Sequence, residues 1–156
     1  MELPIETVQE YPRPPAMEHV PHRLRIWLAG EVVADSMAGF RVLETHHAPT
    51  YYIPPDDIAA MLTPADGTSF CEWKGTARYW DVTAGGRTAG RAAWSYDAPE
   101  QGFEALAGLV AFYAGLMEEC RVGDIAAIQQ PGDFYGGWTT PNLRGPIKGA
   151  AGTRHW

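Results

Sequence analysis

Apolar and polar residues alternate over short runs in this chain, and those runs predict strands. Leu24-Arg25-Ile26-Trp27-Leu28 alternates and predicts a strand, Ala29-Gly30 turns the chain, and Glu31–Asp35 returns it as a hairpin. After Ser36–Gly39 a third strand covers Phe40–Glu44, and Tyr51-Tyr52-Ile53 is a short strand. It stops at Pro54-Pro55, where backbone donors are missing. Acidic residues directly after Pro55 suit a first helical turn, so Asp56–Leu62 predicts a short helix. Thr63–Gly67 predicts a turn. Ser69–Lys74, Ala77–Ala84 and Arg87–Trp94 then predict a three-stranded meander with Gly85-Gly86 at its second turn. Residues 101–107 fit one helical turn. Leu109–Tyr113 reads as a buried strand, and a core helix over 103–118 fits the same apolar run.

Proline and glycine mark the two ends. Met1–His22 holds five prolines and little periodicity, as expected of an extended arm that wraps the domain or is partly disordered. The tail from Gln129 is rich in Gly, Pro and Trp and is expected to be ordered but irregular, lying over the sheet. The expected organisation is an arm (1–22), a β-rich domain (23–120) and an extension (121–156) packed on that domain. The fold class is mainly β: a compact antiparallel sheet or barrel-like domain with one or two short helices.

Composition narrows the functional classes. The 156 residues are one domain's worth, with 46% apolar and 20% charged residues. The formal charge is −7 with no Lys/Arg cluster, which argues against nucleic acid as a partner. No apolar run approaches the roughly 20 residues of a membrane helix, and no basic amphipathic stretch suits a membrane surface. The first residues resemble no export signal, so the cytoplasm is the expected location and Cys71 and Cys120 are expected as thiols. Phosphate-binding glycine loops and the Gly-x-Ser-x-Gly elbow are missing from the sequence. Six Trp, seven Tyr and five Phe supply many amphipathic rings of the kind that line pockets.

Strand alternation points to places for chemistry. Phe40, Val42 and Glu44 share one strand face, so Glu44 ends an apolar surface. Around Cys71, alternation puts Phe70, Glu72 and Lys74 on one face and Cys71 and Trp73 on the other. A charge at the rim of an aromatic face suits a ligand pocket, although solvated strand ends have the same pattern. His46 and His47 are the nearest candidate bases for a Cys71 nucleophile. With Cys71 or Asp56 they are also candidate metal ligands, but adjacent histidines on extended chain point apart, and neither a metal nor another cofactor is expected.

Val42-Leu43-Glu44-Thr45, Tyr51-Tyr52-Ile53-Pro54, Asp56-Asp57-Ile58 and Cys71–Trp80 follow one another in a spacing that resembles the family known as domain of unknown function 427 (DUF427). Ala93–Tyr96 and Val110–Tyr113 extend the resemblance, which covers roughly residues 24 to 118, and the Gly/Trp tail resembles an extension of some members. The resemblance implies a compact β-rich domain. It gives weight to Glu44, Tyr51, Tyr52, Cys71, Lys74, Tyr79, Trp80, Trp94 and Tyr96. The family is sometimes labelled a nucleotidyltransferase. That chemistry needs a Gly-Ser turn followed by paired aspartates, whereas Asp56-Asp57 here precedes Gly67-Thr68-Ser69.

Three expectations follow. The first is a small-molecule site, with or without catalysis, in which Glu44, Cys71 and Lys74 are the candidate reactive groups. Lys74 and Arg78 would meet an anionic ligand among Tyr51, Tyr52, Tyr79, Trp80, Trp94 and Tyr96, and Gly75 would let backbone approach the bound group. The second is a non-catalytic interaction module or homodimer. The third is thiol or metal chemistry at Cys71 with His46 or His47.

Overall fold

The computed structural model describes residues 3–71, 73–132 and 135–150; Glu72 of the Cys71 segment lies outside them. The described chain is mainly β, with no α-helix and four short 3-10 turns. In chain order its strands are β1 (Glu6–Thr7), β2 (Ala16–His19), β3 (Leu24–Leu28), β4 (Glu31–Ser36), β5 (Phe40–Leu43), β6 (Thr50–Tyr52) and β7 (Met61–Cys71). Then come β8 (Gly75–Ala84), β9 (Arg87–Tyr96), β10 (Val110–Phe112), β11 (Glu119–Val122), β12 (Ile125–Gln129), β13 (Trp138–Thr139) and β14 (Leu143–Arg144). They form sheets ordered β13-β12-β11-β3-β4, β10-β9-β8-β7 and β2-β5-β6, with a parallel β1-β14 pair, and these do not close into a barrel.

The β3–β4 hairpin and the β7-β8-β9 meander lie where alternation and glycines put them. The expected helix at 56–62 is reduced to a 3-10 turn over Pro55–Asp57. Ile58 returns to extended backbone, and the Ala59 and Ala60 amides donate to the Val33 carbonyl of β4. So short a segment does not recover the cost of helix nucleation when sheet partners are available. The expected turn at 63–67 is an irregularity within β7, where the pairing register shifts between Pro64 and Thr68. Within 103–118 the strand reading holds. Val110, Ala111 and Phe112 are all buried and paired with β9, and 3-10 turns flank them.

Described segments near both ends of the chain are built into the sheets. β2 of the proline-rich arm pairs with β5, and β1 pairs with β14. The β11–β12 hairpin and β13, which the sequence reading did not anticipate, complete the five-stranded sheet. Trp138 of β13 is buried, stacks at 5.1 Å on Tyr51, and donates from Nε1 to the Phe112 carbonyl at 2.9 Å.

Strand alternation divides the interior into two clusters. Tyr51, Val110 and Phe112 point into the larger one with Leu24, Ile26 and Val33. Their neighbours Tyr52 and Ala111 point into a second cluster with Tyr79, Trp94 and Tyr96. The candidate site lies over this second cluster.

Candidate functional site

A cavity of about 400 Å3 opens over the second cluster. Glu44, Tyr52, Cys71, Lys74, Tyr79, Trp94 and Tyr96 line it, as the sequence reading grouped them. Tyr51, Arg78 and Trp80 do not. Tyr51 alternates with Tyr52 and faces Trp138 in the main core. Arg78 and Trp80 alternate with Tyr79. Arg78 pairs with Asp97 at 3.0 Å and stacks at 4.8 Å on Trp80, whose Nε1 donates to Ser95 Oγ. Successive residues of a strand face opposite ways, so each of these runs delivers only half its side chains to the cavity.

Lys74 reaches the cavity from the turn between β7 and β8 and not from a strand, because Cys71 already pairs with Gly75. Its ammonium lies 6.0 Å from the Tyr96 ring. Gly75 has φ +103°, and a Cβ there would come within 3.3 Å of the Ala98 carbonyl oxygen. The close approach expected of this glycine is therefore to the 98–100 backbone, where the Glu100 amide donates to the Lys74 carbonyl.

The other wall comes from the C-terminal segment. Gln130, Tyr135, Gly136, Gly137 and Lys148 line the cavity with His47. Gly136 lies directly on Trp94: a Cβ there would fall 1.9 Å from the ring. Lys148 Nζ sits 5.6 Å from the Tyr135 ring. The sequence reading took these residues for irregular cover. The one signal that could have found them is the Gly136-Gly137-Trp138 run, in which glycines allow close backbone approach beside a large ring.

Gln130 sets the state of His47. Gln130 is 1% exposed, and its Oε1 accepts from the Ala48 amide at 3.1 Å. Its Nε2 donates to the Lys148 carbonyl at 2.9 Å, which fixes the amide orientation. The same nitrogen faces His47 Nδ1 at 3.2 Å, so Nδ1 must be the acceptor and the ring hydrogen sits on Nε2. His47 is thus neutral. Burial, reinforced by the charges of Lys148 and Lys74, holds its pKa down at about 4. Nε2 lies 3.6 Å from Glu44 Oε2, beyond hydrogen-bond range, so the two do not form an ion pair at neutral pH.

Several polar groups here lack partners. Tyr52 is fully buried, and its hydroxyl makes no hydrogen bond of ordinary geometry, although the Trp94 and Tyr96 side chains adjoin it. Burial pushes the Tyr52 and Tyr96 hydroxyls well above the usual tyrosine range, so both stay protonated donors. Among the described residues, no carboxylate pairs with Lys74 or Lys148 and no donor bonds the Glu44 carboxylate.

The model for the domain of unknown function (DUF427) family matches residues 16–123. The chain belongs to the DUF427 family. Comparison with curated proteins returns no match. The DUF427 segment supplies the floor and the Lys74 side of the cavity, whereas Gln130, Tyr135 and Lys148 lie beyond the matched residues.

The thiol and metal expectations find little geometry. Both cysteines are free. His46 has φ +65° and its Nδ1 meets the Pro146 carbonyl at 3.3 Å. Among the described residues, no three His, Cys, Asp or Glu side chains cluster to hold a metal. Burial raises the Cys120 thiol far above its usual range, whereas Cys71 is half-buried at the cavity. Native protein treated with iodoacetamide is expected to gain one adduct, at Cys71, by intact mass. A second adduct, at Cys120, should appear only after unfolding in guanidinium.

Proposed function

We propose that this DUF427 protein binds a small anionic molecule in the cavity between the β7–β8 turn and the C-terminal segment. The observation that carries this reading is the pair of half-buried lysines, Lys74 and Lys148, which line the cavity and have no carboxylate partner among the described residues of a chain of formal charge −7. Two ammonium groups that face one cavity make it attractive to an anion. Tyr52, Trp73, Tyr96 and Tyr135 make the remaining lining largely aromatic, which suits a ligand with a flat apolar portion. Nucleotidyl transfer has less support. Glu44 is the cavity's one carboxylate among the described residues, and Asp57 lies elsewhere, accepting from Ser36 Oγ at 2.6 Å.

Native mass spectrometry of the protein as purified, followed by calorimetric titration with aromatic carboxylates from benzoate to indole-3-acetate, tests the proposal. Lys74→Ala is expected to melt close to the parent protein and to bind at least about 10-fold more weakly, the loss of one charge-assisted contact. A panel that leaves the protein unbound, or equal affinity in the variant, would sink the reading. A ligand-free dimer in the mass spectrum would shift support to the homodimer and interaction-module reading.

A further inference from the structure

If the cavity holds an anion, the polar groups that line it bear on what happens there. A carboxylate and a neutral imidazole N–H stand side by side, and neither satisfies the other. Glu44 Oε2 and His47 Nε2 are 3.6 Å apart, too far for a hydrogen bond. The Glu44 carboxylate accepts no hydrogen bond among the described residues, although its side chain is only 22% exposed. The His47 proton is kept on Nε2 by Gln130, which is itself locked by the Ala48 amide and the Lys148 carbonyl. Gln130 is a buried amide fixed at both ends. This is an effective way to keep one His47 nitrogen presented as a donor.

We infer that Glu44 and His47 form a base and donor pair for keto–enol proton transfer in a small aromatic 2-oxo acid, with Gln130 as the positioning residue. This rests on the anion-binding reading above. Lys74 and Lys148 meet the carboxylate, and the aromatic lining takes the ring. A proton on the carbon beside the ketone passes to the Glu44 carboxylate. The C–H electron pair becomes the C=C bond, and the carbonyl π pair moves onto oxygen. His47 Nε2–H donates a hydrogen bond to that developing oxyanion, as a neutral imidazole can do without surrendering its proton. The proton held on Glu44 then returns to oxygen, giving the enol, or to carbon after exchange with water. Nothing is oxidised or reduced, and no proton is gained or lost overall.

The probe is phenylpyruvate, which has the carboxylate, the ring and an acidic C–H next to its ketone. Deuterium entry at that carbon in D2O is followed by proton NMR, and binding is measured separately by calorimetry. The parent protein is expected to accelerate exchange. Glu44→Gln is expected to lose about 100-fold or more of the catalysed rate while its Kd shifts less than about 3-fold. Melting temperature checks that the isosteric variant is folded. Gln130→Ala is expected to release His47 from the single tautomer, seen in long-range 1H–15N spectra, with a shifted pH profile for exchange; an unchanged tautomer and profile would refute the positioning role. Phenylpyruvate that binds without accelerated exchange would overturn this inference and leave the anion-binding reading intact. Phenylpyruvate that does not bind would overturn the inference, and the wider carboxylate panel would decide the binding reading. Glu44→Gln exchanging at the parent rate would also overturn it.

Discussion

Trp138→Ala is expected to cost about 4 kcal/mol of unfolding free energy, in the range of large aromatic truncations in a core. The indole is 1% exposed, and its removal opens a void beside Tyr51. It also leaves the buried Phe112 carbonyl without the Nε1–H donor it has at 2.9 Å. A domain of this size has about 5–15 kcal/mol in total, so the variant should be close to unfolding at ordinary temperature. Trp138→Phe keeps a six-membered ring but loses the donor and the pyrrole atoms, and about 1–3 kcal/mol is expected. Ile128→Ala, 67% exposed on the neighbouring strand β12, should change stability by less than about 0.5 kcal/mol. Guanidinium denaturation of the three variants gives these values. A Trp138→Ala midpoint equal to the parent's would mean that the C-terminal strands are dispensable.

Acidification gives the second large effect. The His47 pKa falls from 6.5 to about 4 on folding, chiefly through burial and then through Lys148 and Lys74. Between those values the unfolded chain takes up a proton on His47 and the folded protein does not. Stability therefore falls as pH drops below 6.5, and the loss levels off near 4, reaching about 3 kcal/mol. Above pH 6.5 the group contributes no slope. Glu44 and Gln130 face the ring, the Tyr135 ring packs on its edge, and Arg13 and His46 add smaller repulsions. His47→Gln cannot titrate, so the stability difference between parent and variant should change across this window and stay constant above it. Equal slopes in the two proteins would show that His47 is solvated and titrates normally.

Much of the strand content could be read along the chain because its signals are local. In Leu24–Leu28 alternate side chains are buried, as the alternation implies, and Gly85-Gly86 ends β8 where glycine makes a turn easy. The helix expected after Pro55 failed for a non-local reason, since the Val33 carbonyl was there to accept the Ala59 and Ala60 amides. The cavity lining was half legible. Tyr52, Tyr79, Trp94 and Tyr96 were grouped by the family resemblance, and stricter use of alternation would have separated Tyr51, Arg78 and Trp80 from them.

By itself, then, the sequence determined the mainly β class, the family membership and the aromatic side chains that floor the cavity. These depend on periodicity of two, turn residues and motif order, all carried by neighbours in the chain. Only the tertiary structure decided that the proline-rich arm and the glycine-rich tail are paired into sheets, because edge strands of two to four residues are too short to carry a pattern of their own. It also decided the state of His47, which depends on Gln130, 83 residues away. Long-range pairing and the protonation it imposes come from burial and hydrogen-bond closure, and those exist only once distant segments have met.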